Sequence, residues 1–350
     1  MHPILTVIIA VVVFGFLILI HELGHYVTAR IFGVTINEFS IGMGPRIFSW
    51  VSKKTGIKYS LAALPIGGFV AMAGEDDESD DPDAFDKKPA WQRLIITAAG
   101  ATVNVVAGFL VTAILTLMIP IGNTTVTSFI DLSKKGYDVA VSTEGVLEVG
   151  DEIIKIDGKR VRIYDELNYE IMRRGTKPVD LTIIRDGREI TLKSVVFPTV
   201  EQDGTSFGLR DFTVELVEKT FGSVISFSWS KSVLIVRMCW ESIIDLVSGR
   251  YSLGAVSGPV GISSAIGEAA NAGVESFLYM FALISINLGV MNLLPIPALD
   301  GGRLLTTLFE IVTRKRIPKK IEGIVNGVGL MLLLGLSLVI MVKDIVQIIV

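Results

Sequence analysis

A charge-free apolar run over residues 4–20 constrains this chain more than any other feature, because it continues without a break into His21-Glu22-Leu23-Gly24-His25. A run of that length reads as a membrane-spanning helix, so an ionisable motif is expected at or within the bilayer. Each such group at the centre of a span costs about 2.5 to 3.5 kcal/mol on insertion scales, and three together call for a use that offsets the cost. On a helix, residues four apart share a face and lie about 6 Å apart along the axis. Both imidazoles can then reach one metal ion, and Glu22, beside the first of them, can take a proton from water at that ion. The pattern also arises by chance in soluble helices, where a lone histidine on an apolar face is a hydrogen-bonded core residue. Two of the three histidines of the chain fall in this one span, which favours the metal site.

Composition agrees with a membrane location. The 350 residues are 50% hydrophobic, and a mean hydropathy of +0.58 is too apolar for an ordinary soluble protein and suits a membrane bundle with one small domain. A net charge of −4, with no basic stripe interleaved with aromatics, argues against a nucleic-acid partner. The single Cys239 excludes an intrachain disulfide and a cysteine-based zinc site. The first apolar run has neither a basic leading region nor a small-residue cleavage site and is expected to be retained as a span.

Four stretches are long and apolar enough to cross a bilayer, roughly 4–32, 93–120, 276–295 and 321–342. The connection after the first carries Arg46, Lys53, Lys54, Lys87 and Lys88, and that after the third carries Arg303, Arg314, Lys315, Arg316, Lys319 and Lys320. The positive-inside rule puts both in the cytoplasm, leaving the N-terminus and the segment 121–275 outside. The acidic run 75–86 is expected to be a solvated surface. Before it, residues 57–64 followed by Pro65-Ile66-Gly67-Gly68-Phe69-Val70 predict a strand, a turn and a second strand, apolar enough to dip into the membrane against protein.

Residues 122–200 have normal charge density and predict a small α+β domain. A strand over 147–158 ends in Asp157-Gly158, strands 179–184 and 189–193 flank Asp186-Gly187, and Asp165 is positioned to cap a helix that stops before Gly175. Residues 221–247, with Trp229 and Trp240, predict an amphipathic helix that lies along the membrane interface or packs on the small domain. The expected organisation is an N-terminal membrane half 1–120, the small domain 121–200, a linker with the amphipathic helix 201–275, and a C-terminal membrane half 276–350.

A zinc site that keeps one position for water needs a third protein ligand. His2 lies about 28 Å up the same helix, so a carboxylate on another span is required. Asp300 is the first candidate, in Asn292-Leu293-Leu294-Pro295-Ile296-Pro297-Ala298-Leu299-Asp300-Gly301-Gly302, and Asp344 is a weaker alternative. Pro295 and Pro297 break the third apolar stretch and leave backbone groups free for a substrate. Asn292 is a candidate to hold substrate backbone or orient a ligand, with an interhelical hydrogen bond as its structural alternative.

The His21-to-His25 motif paired with Asn292-to-Gly302 resembles the site-2 protease family of intramembrane zinc metalloproteases, in its bacterial branch with an extracytoplasmic PDZ domain. Gly67-Gly68-Phe69, Gly100-x-x-x-Asn104 and Ser257-Gly258-Pro259-Val260-Gly261-Ile262 match as well. The resemblance implies Zn2+ held by His21, His25 and Asp300, with Glu22 as catalytic base. It implies a hairpin around 57–73, with Gly67, Gly68 and Phe69, presenting an edge to substrate, and a PDZ domain over 122–200. Ala101 stands where the family often has proline, only one PDZ domain fits, and no carboxylate-binding loop is evident at 142–146.

The expected fold is thus an α-helical polytopic membrane protein of about four transmembrane helices, with a membrane-associated β-hairpin or sheet and one inserted α+β PDZ domain. The expected activity is intramembrane cleavage of single-span membrane proteins, such as anti-sigma factors or remnant signal peptides, in the bacterial cytoplasmic membrane. The lipid bilayer and a peptide ligand of the PDZ domain are the other expected partners, and the active site is expected toward the cytoplasmic side. A catalytically silent membrane PDZ receptor is the alternative class, which bound zinc without proteolysis would favour.

Overall fold

The computed structural model describes residues 2–76, 78–137, 141–202, 205–249, 254 and 256–349; Asp77 of the acidic run lies outside them. In chain order the elements are α1 (Pro3–Ile31), β1 (Ile36–Val51), β2 (Lys58–Met72), α2 (Ala90–Met118), β3 (Ile121–Phe129), β4 (Glu152–Ile156), β5 (Lys159–Arg160), α3 (Tyr164–Arg174), β6 (Val179–Arg185) and β7 (Arg188–Val195). They continue with β8 (Thr199–Gln202), β9 (Thr205–Gly208), β10 (Phe212–Val217), α4 (Phe221–Val247), α5 (Pro259–Ala272), α6 (Val274–Asn292), α7 (Asp300–Thr313) and α8 (Lys319–Ile349). They form two compact units, Met1–Val111 with Ile235–Val350, and Thr112–Leu234.

Four helices of the first unit and its boundary are long and apolar enough to cross a membrane: Ile4–Ile31, Ala90–Met118, Val274–Asn292 and Lys319–Val346. They are the four stretches expected, shifted by a few residues. The third ends at Asn292 because the residue before Pro295 is driven out of the helical region. α1 starts with Pro3, whose missing N–H costs nothing at a helix start. It buries Ala10, Val13 and Leu17 against Ile266 of α5 and Ile284 of α6.

β1 and β2 pair differently from the expected strand–turn–strand within 57–73. β2 runs on through Pro65-Ile66, and its two halves both pair with β1: Phe39 lies beside Val70 and also beside Tyr59, while Trp50 also lies beside Tyr59. The resulting segment order is 68–72, 36–41, 58–61, 46–51. The reversal falls in β1, where Gly42 and Gly44 adopt φ of +86° and +92°. An X-Pro step favours extended backbone, so β2 passes straight on.

Glu38 holds three of these segments together. Arg46 donates to both of its carboxylate oxygens at 2.7 Å, and Ser60 Oγ donates at 2.5 Å. The Arg46 guanidinium, with Ser60 and Lys58 in support, keeps the Glu38 carboxyl below the usual carboxylate range. A depressed folded value means that the stabilisation is present above the unfolded pKa of about 4.3 and is lost as pH falls through the folded value. Glu38→Gln is therefore expected to lower amide protection in residues 36–51 at neutral pH, and to remove the loss of protection, measured against the intrinsic exchange rate, that the wild type shows as pH falls through the depressed Glu38 value.

In the Thr112–Leu234 unit the strand order is β10-β3-β4-β6-β7, antiparallel throughout, with β5 on β4 and a separate β8–β9 pair. Period-two alternation buries Val179, Leu181 and Ile183 of β6 with Ile153, Ile156, Leu167, Ile171, Phe197 and Phe212. Two local expectations are corrected. β4 starts at Glu152, not 147, because Gly150 at φ +99° and the Asp151 carboxylate, which accepts from Glu148 N at 2.8 Å, make a turn there. Ile163, not Asp165, is the N-cap of α3; Asp165 sits in the first turn, where the helix dipole favours its charge, and pairs with Lys231 of α4 at 2.9 Å. α4 leaves Phe221, Ile225, Trp229 and Val233 exposed along one side. Further on, its Ile235 and Cys239 pack against Ile286 and Val290 of α6.

Candidate metal centre

His21 and His25 lie one turn apart on α1, both buried, with their Nε2 atoms 3.2 Å apart. α2 crosses them at Gly100. A Cβ there would lie 2.8 Å from His21 Nε2 and closer still to His25 Nε2, so only glycine lets this helix pass the imidazoles. Asp300 opens α7 and places its Oδ2 3.1 Å from His21 Nε2 and 3.3 Å from His25 Nε2. The chain reaches that position by folding back on itself, with Ala298 at φ +74° and Gly301 packed directly on the Leu294 carbonyl. One ligand atom from each of the three residues lies within 4.8 Å of the others, the one such group of three or more His, Cys, Asp or Glu among the described residues.

Proton positions decide what this cluster can hold. His25 Nδ1 is 2.8 Å from the Ile96 carbonyl, which can only accept, so the proton of a neutral His25 is on Nδ1 and Nε2 presents a lone pair. His21 Nδ1 is 3.4 Å from the amide nitrogen of Asn104, whose Oδ1 is buried without a partner. Turning that amide over, which leaves its shape unchanged, lets His21 Nδ1–H donate to Oδ1 and frees His21 Nε2 as a second lone pair. Asp300 Oδ2, also without a hydrogen-bond donor, completes three converging acceptors. Such a set is repulsive unless a cation sits among them. Two imidazoles and a carboxylate, with the imidazoles oriented from behind by a carbonyl and an amide, fit a zinc ion that keeps a position for water.

Glu22 is half-buried beside this cluster, and the segment 68–72 runs past it: a Cβ on Gly68 would lie 3.2 Å from Glu22 Cγ. That segment pairs with 36–41 on one side. Phe69 lies in it, paired with Ser40 and exposed, and Gly67 packs on the Met43 side chain at φ +89°. Asn292, Pro295 and Pro297 lie on the connection that leads into Asp300. Asn292 ends α6 half-buried and makes no side-chain hydrogen bond among the described residues, Pro295 is exposed, and Pro297 packs on Gly329 of α8. Asp344 is elsewhere: its Oδ2 accepts from Gly258 N and Gly261 N, both at 2.9 Å, at the N-terminus of α5.

The backing groups Asn104 and Ile96 were not among the site residues expected from sequence. Gly100 and Asn104 are four apart, the same one-turn spacing as the two histidines, and a polar Asn inside an apolar helix is a signal that could have marked it beyond the motif match. A backbone carbonyl such as that of Ile96 leaves no trace in sequence.

Comparison with known proteins matches residues 9–336 to the profile described as Peptidase family M50. A protein of Clostridium perfringens, whose name assigns it provisionally to the zinc metalloproteases, is 36% identical over 97% of this chain and 98% of its own length. The regulator of sigma-W protease RasP of Bacillus subtilis is 28% identical over 97% and 98%, and the zinc metalloprotease RasP of Bacillus licheniformis is 28% identical over the same shares. With a match over nearly its whole length and this site inside it, the chain belongs to peptidase family M50, the site-2 protease family, and is a metalloendopeptidase.

Proposed function

We propose that this protein is a zinc-dependent intramembrane endopeptidase that cleaves single-span membrane proteins, with His21, His25 and Asp300 as zinc ligands and Glu22 as the catalytic base. The observation that carries the proposal is the convergence of three lone pairs on one point between helices long and apolar enough to cross a membrane. Bound zinc supplies Lewis acidity, polarising the scissile carbonyl and making water easier to deprotonate. Ile96 and Asn104 hold the two imidazoles in the tautomer that binds metal. Glu22 takes the proton of the attacking water and delivers it to the leaving amine.

A helical peptide bond is hydrogen-bonded and shielded, so the substrate has to be unwound locally. The segment 68–72 supports this step, because it passes Glu22 and can add an extended substrate strand that replaces the lost hydrogen bonds. Gly67, Gly68 and Phe69 contribute backbone and contact area there, and Pro295 and Pro297 keep the connection before Asp300 free of helix. The lysines and arginines after the first and third spans support cytoplasmic placement of those connections, with the N-terminus and the residues 121–200, as a PDZ domain, outside. The family and the likeness to RasP, named a regulator of sigma-W, support an anti-sigma factor as substrate class in a bacterial cytoplasmic membrane.

Elemental analysis tests the ligand set. The purified wild type is expected to carry close to one zinc per chain, and Asp300→Ala to lose most of it on dialysis while Asp344→Ala keeps it. Unchanged zinc in Asp300→Ala would remove Asp300 from the site.

A further inference from the structure

Asp300 belongs to the least anchored part of the metal centre. Of α7 only Gly301 and Thr307 are buried, and the most apolar window of the following helix, α8, is only 6% buried. Apolar packing therefore does little to fix where the Asp300 carboxylate lies relative to α1. Arg303 supplies what packing does not. It follows Asp300 by three residues, about 4.5 Å along the axis, on the neighbouring face of the helix. Its Nη1 donates to Glu75 Oε1 and its Nη2 to Asp76 Oδ1, so one guanidinium fork spans two adjacent carboxylates. Glu75 in turn reaches back to the end of β2, its Oε2 accepting from Met72 N at 3.3 Å. Met72 closes the segment that passes Glu22.

Two further ties lie close by: Arg93 Nη2 of α2 donates to Glu310 Oε2 of α7 at 2.6 Å, and Lys319 Nζ at the start of α8 donates to the Gly74 carbonyl at 2.8 Å and to Asp86 Oδ2 at 3.1 Å. With Arg303 they wall a polar cavity of about 70 Å³. The Arg303 and Glu75 side chains keep 29% and 16% of their exposure, so the pair is largely shielded, and removing the arginine would leave a partly buried carboxylate without its cation. Arg303 is also the tie that sits within one turn of a metal ligand.

We infer that Arg303 is a positioning residue for the metal centre: by clamping the first turn of α7 to Glu75, at the end of the segment beside Glu22, it holds Asp300 within reach of the two imidazoles. The inference rests on Asp300 being a zinc ligand. It makes the acidic residues after β2 part of the catalytic architecture and not a solvated surface alone.

The test is the rate at which purified, zinc-loaded protein gives up its metal to a chelator, read by a colorimetric zinc indicator. Arg303→Ala is expected to lose zinc about 10- to 100-fold faster than wild type, the range typical for groups that orient a ligand. The charge exchange Arg303→Glu with Glu75→Arg is expected to slow the loss relative to Arg303→Glu alone, which ties the effect to this ion pair, and thermal unfolding of the zinc-free Arg303→Ala protein at the wild-type temperature separates positioning of the ligand from general destabilisation. Should Arg303→Ala fail to fold, Arg303→Lys serves in its place, since it keeps the charge but lacks the planar guanidinium fork that meets Glu75 and Asp76 together; faster loss supports the inference. Wild-type loss rates in the folded variant, or an exchange no slower than Arg303→Glu, would overturn it. Asp300→Ala run alongside separates the two claims: if it too releases zinc at the wild-type rate, the ligand assignment has failed, and if it alone releases zinc quickly, only the role of Arg303 has.

Discussion

Glu22→Gln is expected to keep its zinc and its fold while cleaving a single-span reporter in vesicles at least about 100-fold more slowly than wild type. Glutamine preserves the shape and the packing against Gly68 but has no basic oxygen to receive a proton, and a positioned general base contributes about 10²- to 10⁴-fold. The ligands are untouched, so elemental analysis should return the wild-type zinc content. In cells the same variant should accumulate single-span membrane fragments that membrane proteomics detects against a wild-type background, which also identifies the substrates. Undiminished cleavage would remove Glu22 as the base. Zinc binding with no proteolysis in the wild type itself would favour the silent receptor.

The second large effect is expected from the smallest substitution. Gly100→Ala adds one methyl group where two imidazole nitrogens already stand within van der Waals range, and neither helix can retreat without opening the α1–α2 contact at Gly24, where a Cβ would meet the Ala99 carbonyl at 2.7 Å. One or both rings must turn away from Asp300. Zinc affinity is expected to fall by about tenfold or more, comparable to losing an orienting group. Gly327→Ala is the matched control: nothing lies within 4 Å of a Cβ there, and alanine is the better helix former. Competition with a chelating dye measures both. Equal affinities in the two variants would mean that α2 does not cradle the site.

Local periodicity, side-chain chemistry and tertiary contact leave unequal traces in the sequence. The spans and the His21–His25 pair were legible because both follow from local periodicity: apolar length for the first, one helical turn for the second. Asp300 was legible by chemistry, since a pair of histidines lacks a ligand and the chain offers a carboxylate in a broken apolar stretch. Asn104 was visible only as a motif match, because its contribution depends on which face of α2 meets α1, and a helix that is apolar all round does not declare its faces. The pairing of β1 with both halves of β2 depends on contacts twenty to thirty residues apart and on where two glycines let the chain reverse. Aspartate favours a capping position, yet Asp165 lies in the first turn of α3, where it pairs with Lys231, a partner that local sequence does not announce. The acidic run illustrates the same limit: composition marks it as solvated, yet Glu75 is drawn inward by an arginine more than two hundred residues away.

All of these features matter through one arrangement, two imidazole nitrogens and an aspartate oxygen around a single ion. Zinc K-edge X-ray absorption on the purified protein reads it directly. The account predicts two nitrogen donors at about 2.0–2.1 Å and oxygen donors at about 2.0–2.2 Å, with no sulfur, and a spectrum that loses the carboxylate contribution in Asp300→Ala. A sulfur shell, a third imidazole, or a spectrum unchanged by that substitution would contradict it.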